Sequence, residues 1–314
     1  MNLEDVHILV VGDIMLDKYV VGEVNRISPE APVPVVNVTD KYSTLGGCGN
    51  VVRNIRELGA QVDCVASIGV DDAGVEIRRK FQDMNIGDGL FFEGMTTVKE
   101  RIVSEYRHIQ MLRVDTEYTS GIPSGRTIRS LFNFENNIYD MIIISDYAKG
   151  MINETVLDYI KKQFHAPIII DPKPSNASIY NDVYLITPNE KEWNQMINSN
   201  AELDLIDNVL ITKGKDGSQL IENYRQSSHM TWTIPAEPVE IFNVSGAGDT
   251  VVAIMTVCLS TGWNMLDSAY IANKCAGYVV SKPDTTAVPK HIFDKNASLF
   301  IRKQGYPPLV QVSF

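Results

Sequence analysis

Short apolar runs rich in Val and Ile alternate with stretches of helical period along most of the chain. His7-Ile8-Leu9-Val10-Val11 reads as a buried first strand. Further strands are predicted at 62–68, 141–145, 167–171, 183–187 and 209–212, and helices at 50–58, 71–84, 153–164 and 190–198. Strands separated by helices in this rhythm predict an α/β fold, a central and mostly parallel sheet with helices on its faces. Two stretches break the rhythm. Residues 18–38 and 99–115 have mixed or alternating polarity, as expected of strands exposed on one face. The first holds Ser28-Pro29-Glu30-Ala31-Pro32-Val33-Pro34, whose prolines exclude a helix and suit an edge or turn. Together they predict a small β-flap beside the main sheet. The pattern fades after Asp294, so the expected division is one domain over 1–293, with the flap drawn from about 18–38 and 97–115, and an unassigned tail over 294–314.

Composition narrows the partners. Against 28 Lys and Arg stand 39 Asp and Glu, a net charge of −11, which disfavours nucleic acid or an anionic membrane surface. A few basic side chains converging in a cleft would still serve a phosphorylated small substrate. Residues 1–6 hold Glu4 and Asp5 and no basic run, and the apolar stretch that follows stops at Gly12-Asp13, too short for a signal peptide or membrane span. A cytoplasmic location is therefore expected. Cys48, Cys64, Cys258 and Cys275 show neither metal-ligand spacing nor a paired framework and read as reduced thiols.

Four segments carry candidate chemistry. Gly246-Ala247-Gly248-Asp249 runs into an apolar helix, where small residues let backbone N–H groups converge on phosphate oxygens and the carboxylate can accept a proton. The same pattern also describes a glycine turn with Asp249 as an N-terminal cap. Gly46-Gly47-Cys48-Gly49-Asn50 opens a second helix, with Asn50 offering the donors and acceptors a polyol needs, and reads equally as a helix-start turn. Asp13 and Asp17 follow the first strand, where open α/β sheets bind ligands, although solvated loop acids are as common there. Asn189 and Glu192 share a helix face at a spacing that suits Mg²⁺ or, alternatively, capping. A dinucleotide-binding oxidoreductase is disfavoured, because Gly12-Asp13-Ile14-Met15 lacks the Gly-x-Gly-x-x-Gly fingerprint.

In order and spacing, these segments resemble the ribokinase-like (PfkB) family of carbohydrate kinases over nearly the entire chain. Arg26-Ile27-Ser28-Pro29-Glu30-Ala31-Pro32-Val33-Pro34-Val35, Ser145-Asp146-Tyr147-Ala148-Lys149-Gly150 and Asp171-Pro172-Lys173 are similar to one branch of it, the D-glycero-β-D-manno-heptose 7-phosphate kinases of ADP-heptose synthesis. The resemblance implies a three-layer sandwich with a β-flap lid, and ATP-dependent phosphorylation of a sugar phosphate at C1. It implies Asp249 as base and the backbone of Gly246, Ala247 and Gly248 as anion hole. It assigns Asn189 and Glu192 to Mg²⁺, and Asp13, Asp17, Gly47 and Asn50 to the sugar. Lys213, Gly214, Asn273, Ala276 and Gly277 would border the nucleotide. A homodimer through the lid is also implied.

Three departures stand out. Asn243 occupies a position where the family has Asp, which removes a carboxylate that could serve a metal or monovalent cation but keeps an oxygen ligand. Lys282-Pro283-Asp284-Thr285 replaces the branch's Lys-x-Gly-Thr. No nucleotidyltransferase pattern follows, so a separate adenylyltransferase is expected in the pathway. The substrate phosphate is expected on Lys99 and Arg101, two apart on one strand face, with Lys149 and Lys173 next in line. A kinase of an unphosphorylated sugar or a nucleoside, and a non-catalytic sugar-binding or regulatory protein, are the rival readings.

Overall fold

The computed structural model describes residues 3–119, 131–132, 137–199, 201–226 and 228–302. The chain runs β1 (His7–Gly12), β2 (Ile14–Ile27), β3 (Pro34–Gly47), α1 (Cys48–Leu58), β4 (Gln61–Ile68), α2 (Asp72–Asp83), β5 (Gly87–Phe92), β6 (Thr97–Ser104) and β7 (Gln110–Thr116). It continues through β8 (Met141–Ser145), α3 (Glu154–Gln163), β9 (Ile168–Asp171), β10 (Val183–Ile186), α4 (Glu190–Ile197), β11 (Ile206–Thr212), β12 (Ser218–Glu222) and β13 (Met230–Ile234). Three helices close it, α5 (Ala247–Ser260), α6 (Met265–Val280) and α7 (Lys290–Arg302).

Nine strands form the main sheet in the order β13-β12-β11-β10-β9-β8-β1-β4-β5. It is parallel from β5 to β11 and antiparallel only at the β11-β12-β13 edge. Side chains alternate across the central strand. Ile8 and Val10 enter one core with helices α1, α2, α5, α6 and α7, while Leu9 and Val11 enter a second with α3 and α4. A strand buried on both faces has no polar alternation, which is why β1 reads as a continuous apolar run. Helix α5 is buried from Asp249 through Cys258, matching its nearly unbroken apolar sequence. No helix among the described residues is long and apolar enough to cross a membrane.

The flap is a second, four-stranded sheet, β3-β2-β6-β7. It starts earlier than the polarity pattern indicates, at Ile14, because Ile14, Met15 and Leu16 are buried where the flap joins the main body. Register sets Asp17 between Thr44 and Lys99, and Tyr19 between Tyr42 and Arg101. Asp17, Tyr19, Lys99 and Arg101 therefore leave one face of the flap together. Residue 293, the expected boundary, falls within a helix. Helix α7 runs through it, burying Phe293 and Ala297 one helical turn apart. Of the expected tail, 303–314 lies outside the described residues.

Candidate active site

Asp249 sits in the first turn of α5, a helix whose N-cap, Gly246, makes no side-chain capping bond. Gly246 has φ of 79°, and a Cβ there would lie 2.6 Å from Asn50 Nδ2, so the loop needs glycine on both counts. Around Gly248 the space is open, with no heavy atom of the described residues within 4 Å of where a Cβ would stand. First-turn N–H groups beside an open space form an anion hole that can receive phosphate oxygens.

The Asp249 side chain is only 5% exposed. Asn50 Nδ2 donates to its Oδ2 at 2.8 Å, and the Tyr147 hydroxyl donates to its Oδ1 at 2.7 Å. Burial pushes the Asp249 carboxyl above the ordinary aspartate value, these two donors pull it back, and Asp17 pushes it up again. Asn50 is itself buried at the start of α1, and its Oδ1 is a buried acceptor with no hydrogen-bond partner among the described residues. An unfilled acceptor beside a carboxylate is suited to a ligand hydroxyl.

Tyr147 connects the parts of the site, and its motif alone assigned it no role. Its ring lies 5.7 Å from Lys99 Nζ and 5.2 Å from Lys173 Nζ, and its backbone N–H donates to Asp13 at 2.8 Å. Asp13 also accepts the backbone N–H groups of Lys149 and Met151. Its carboxylate braces the loop 147–151, with burial raising its pKa. Gly47, at φ 59° and with the Asp13 carbonyl 2.4 Å from its Cβ position, shapes the entry to α1.

The expected phosphate pair separates into two roles. Arg101 Nη1 meets Asp17 Oδ1 at 2.6 Å, both side chains buried, and its guanidinium also lies over the Tyr19 ring. Its charge is matched by Asp17, whose carboxylate it holds in place. Lys99 forms no ion pair among the described residues, and burial lowers its pKa. Lys149 pairs with Glu117 at 2.8 Å and Lys173 with Glu192 at 2.5 Å. For Lys173, burial acts against the charged form but Glu192 outweighs it, and the pKa rises.

Asn189 and Glu192 form a complete capping box on α4: Asn189 Oδ1 accepts the Glu192 N–H at 2.9 Å and Glu192 Oε2 accepts the Asn189 N–H at 3.0 Å. The capping alternative is thus realised. Among the described residues no three His, Cys, Asp or Glu side chains converge as a metal cage. Nearby, however, burial and the charge of Asp249 push the Asp171 carboxyl well up. One or two such carboxylates suit a Mg²⁺ that arrives with nucleotide phosphates and keeps its waters.

A cavity of about 320 Å³ opens beside α5. Gly214, Asn273, Ala276 and Gly277 line it, with Ala247 and Gly248 at the end adjoining Asp249. Lys213 is not among its walls. Lys213 Nζ donates to Gln219 at 2.7 Å, and Lys215 lines the cavity instead. The lining is otherwise mostly apolar, as a flat heterocycle requires.

Comparison with known proteins agrees with this architecture. The description "pfkB family carbohydrate kinase" matches residues 6–291. The "Bifunctional protein HldE" of Hydrogenovibrio crunogenus is 34% identical over 98% of this chain and 66% of its own, so the chain spans just under two-thirds of that relative's length. Phosphofructokinase-2 from Escherichia coli, solved in complex with potassium, superposes at a TM-score of 0.73 with 17% identity, covering 95% of this chain and 99% of that one. Ribokinase from Thermotoga maritima superposes at 0.68 with 18% identity, covering 93% and 99%. The fold is ribokinase-like.

Proposed function

The chain belongs to the pfkB family of carbohydrate kinases, and on that premise we propose that it transfers the terminal phosphoryl group of ATP to the C1 hydroxyl of D-glycero-β-D-manno-heptose 7-phosphate, giving the 1,7-bisphosphate and ADP. The observation that carries the reading is the Asp249 carboxylate, buried, held by Asn50 and Tyr147, and one residue from the cavity that ends at Gly248. The choice of heptose 7-phosphate is supported by the resemblance of Ser145–Gly150 and Asp171–Lys173 to that branch. Both segments border Asp249, through Tyr147 and Lys173.

In this mechanism Asp249 takes the proton of the C1 hydroxyl as that oxygen bonds to the γ-phosphorus and the bond to the β,γ-bridging oxygen breaks. A carboxylate with a raised pKa is a stronger base than a solvated one, so burial serves the chemistry. Asn50 Oδ1 and Asp17 Oδ2 orient the sugar, and Lys99 faces its phosphate. The 246–248 backbone holds the transferring group, and Lys215 and the α6 residues hold the nucleotide. Mg²⁺ bound with the triphosphate, near Asp171 and Glu192, would neutralise charge between the phosphates. Closure of the flap would exclude water and limit hydrolysis of ATP.

An unphosphorylated substrate is the second reading, favoured by one observation: of the expected phosphate pair, Arg101 is matched by Asp17, leaving Lys99 as its one member without an ion pair among the described residues. An ATP-consumption assay with both anomers of heptose 7-phosphate, beside ribose, fructose and adenosine, separates the two, with phosphorus NMR locating the new ester. Phosphorylation of an unphosphorylated sugar in preference to the heptose phosphate would replace the first reading with the second. The flap exposes Ile109, Leu112 and Val114 at its β7 edge, which suits a homodimer. The pathway reading also calls for an adenylyltransferase activity acting after this kinase.

A further inference from the structure

Two loops meet beside the N-terminus of α5: residues 243–246, which lead into it, and 281–286, which follow α6. Asn243 joins them. Its Nδ2 donates to the Pro283 carbonyl at 3.0 Å, and its Oδ1 accepts the Ser245 N–H at 2.9 Å. Only one orientation of the amide satisfies both partners, because the carbonyl can only accept and the N–H can only donate. The backbone adds a stitch, the N–H groups of Phe242 and Asn243 both donating to Val280 O.

The second loop is held from the flap side as well. Asp284 Oδ1 accepts the Tyr42 hydroxyl at 2.6 Å, Thr285 Oγ1 meets the Tyr19 hydroxyl at 3.0 Å, and Arg53 donates to Thr285 O at 2.9 Å. The Thr285 methyl lies 2.9 Å from the Cβ position of Gly246. Asn243 and Asp284, the two residues at which the chain departs from its family pattern, therefore both secure loop 281–286, Asn243 to the anion-hole loop and Asp284 to the flap.

An aspartate at 243 would aim a carboxylate oxygen at the Pro283 carbonyl. Two acceptors at that separation repel, and a cation between them is what reconciles them. Asparagine supplies an N–H at the same point. Asp284 Oδ1 is taken by the Tyr42 hydroxyl, which ties this loop to the flap. The residues thus do not fit a monovalent cation at this junction. We propose that the Asn243 amide performs here the bridging for which an aspartate needs a monovalent cation, so that the anion-hole loop is assembled, and the enzyme works, without K⁺. The activity part of this inference rests on the kinase reading, and the stability part does not.

The test compares the wild type with Asn243→Asp and Asn243→Ala, free of nucleotide, in chlorides of potassium, sodium and tetramethylammonium at equal ionic strength. Melting of the wild type should be the same in all three salts. Asn243→Asp should melt about 2 °C or more lower in tetramethylammonium and recover in K⁺, and Asn243→Ala should melt lower in every salt without recovery. With ATP and sugar, wild-type turnover should ignore the cation, while Asn243→Asp should gain about fivefold from K⁺, the equivalent of one hydrogen bond. A wild type stabilised or activated by K⁺, or an Asn243→Asp variant as indifferent to the cation as the wild type, overturns the proposal. Should Asn243→Asp fail to fold, the wild-type salt series and Asn243→Ala still decide. If no sugar is phosphorylated the kinase reading fails, and the melting series judges the amide bridge on its own.

Discussion

Replacing Tyr147 with Phe removes one hydroxyl from the site and leaves the ring between Lys99 and Lys173 in place. That hydroxyl donates one of two hydrogen bonds to the buried Asp249 carboxylate. A hydrogen bond to a charged group contributes about 1.5–3 kcal/mol. Its loss leaves burial less opposed, so the variant's carboxyl titrates higher still. At about 1.36 kcal/mol per pH unit, the acidic limb of the kcat/KM profile should move up by about one to two units. The sign follows from the role. A general base works with its proton off, so a higher pKa silences it at pH values where the wild type is active. Activity should therefore fall most on the acidic side and recover as pH rises past the new midpoint. The measurement is kcat/KM for the sugar from pH 5 to 9 by coupled ADP release, with circular dichroism to confirm folding. An acidic limb at the wild-type position in a folded variant would refute Asp249 as the base, or Tyr147 as the group that tunes it.

Other outcomes follow from the same geometry. Asp249→Asn should lower kcat by about 10² to 10⁴; because the folded state raises this carboxyl's pKa, ionisation at neutral pH opposes folding, so the variant should also melt higher at pH 7 than the wild type. Lys99→Ala should raise KM for heptose 7-phosphate by about tenfold with little effect on the dephosphorylated sugar, whereas Arg101→Ala should impair both equally, by releasing Asp17; the reverse pattern would restore Arg101 as the phosphate ligand. Ala276→Phe, which fills part of the cavity, should raise KM for ATP and leave sugar binding without nucleotide unchanged in calorimetry. Asp63 is held below the usual aspartate range: burial opposes this, but His7, Tyr139 and Asn137 outweigh it. Its stabilisation is present above the unfolded pKa and lost as pH falls through the folded one, so Asp63→Asn should melt lower at pH 7 and lose less between about pH 5 and 2; equal slopes for variant and wild type would remove Asp63 from the acid response.

What could be read from the sequence was local in origin. Strands β1, β4, β8, β9, β10 and β11 and helices α1 to α4 stand where apolar period put them, since side-chain direction repeats every two or 3.6 residues whatever the rest of the chain does. Strands β5, β12 and β13 were not legible: β5 carries Gly87 and Gly89, and β12 (Ser218–Glu222) and β13 (Met230–Ile234), at the antiparallel edge, mix polar with apolar residues and lack the continuous Ile and Val runs of the central strands. Glycine loops at helix starts were also local, and with them came Asp249 and Asn50; the cavity residues on α6 came only from the family resemblance.

Partnership was decided only by the tertiary structure. The spacing of Asn189 and Glu192 suits both a metal pair and a capping box; the backbone N–H groups of α4 and Lys173 opposite Glu192 form the box and an ion pair. Arg101 and Lys99 share a strand face, and the pairing of β2 with β6 sets Asp17 opposite Lys99, yet Arg101 reaches diagonally to Asp17 while Lys99 lies beside Tyr147. Tyr147 reaches Asp249 across 102 residues of sequence, and Asn50 reaches it across 199. A charged or polar side chain has the same identity in any neighbourhood; whether it acts as a ligand, a brace or a base depends on which buried groups it must satisfy, and those arrive from distant strands and helices only when the sheet closes.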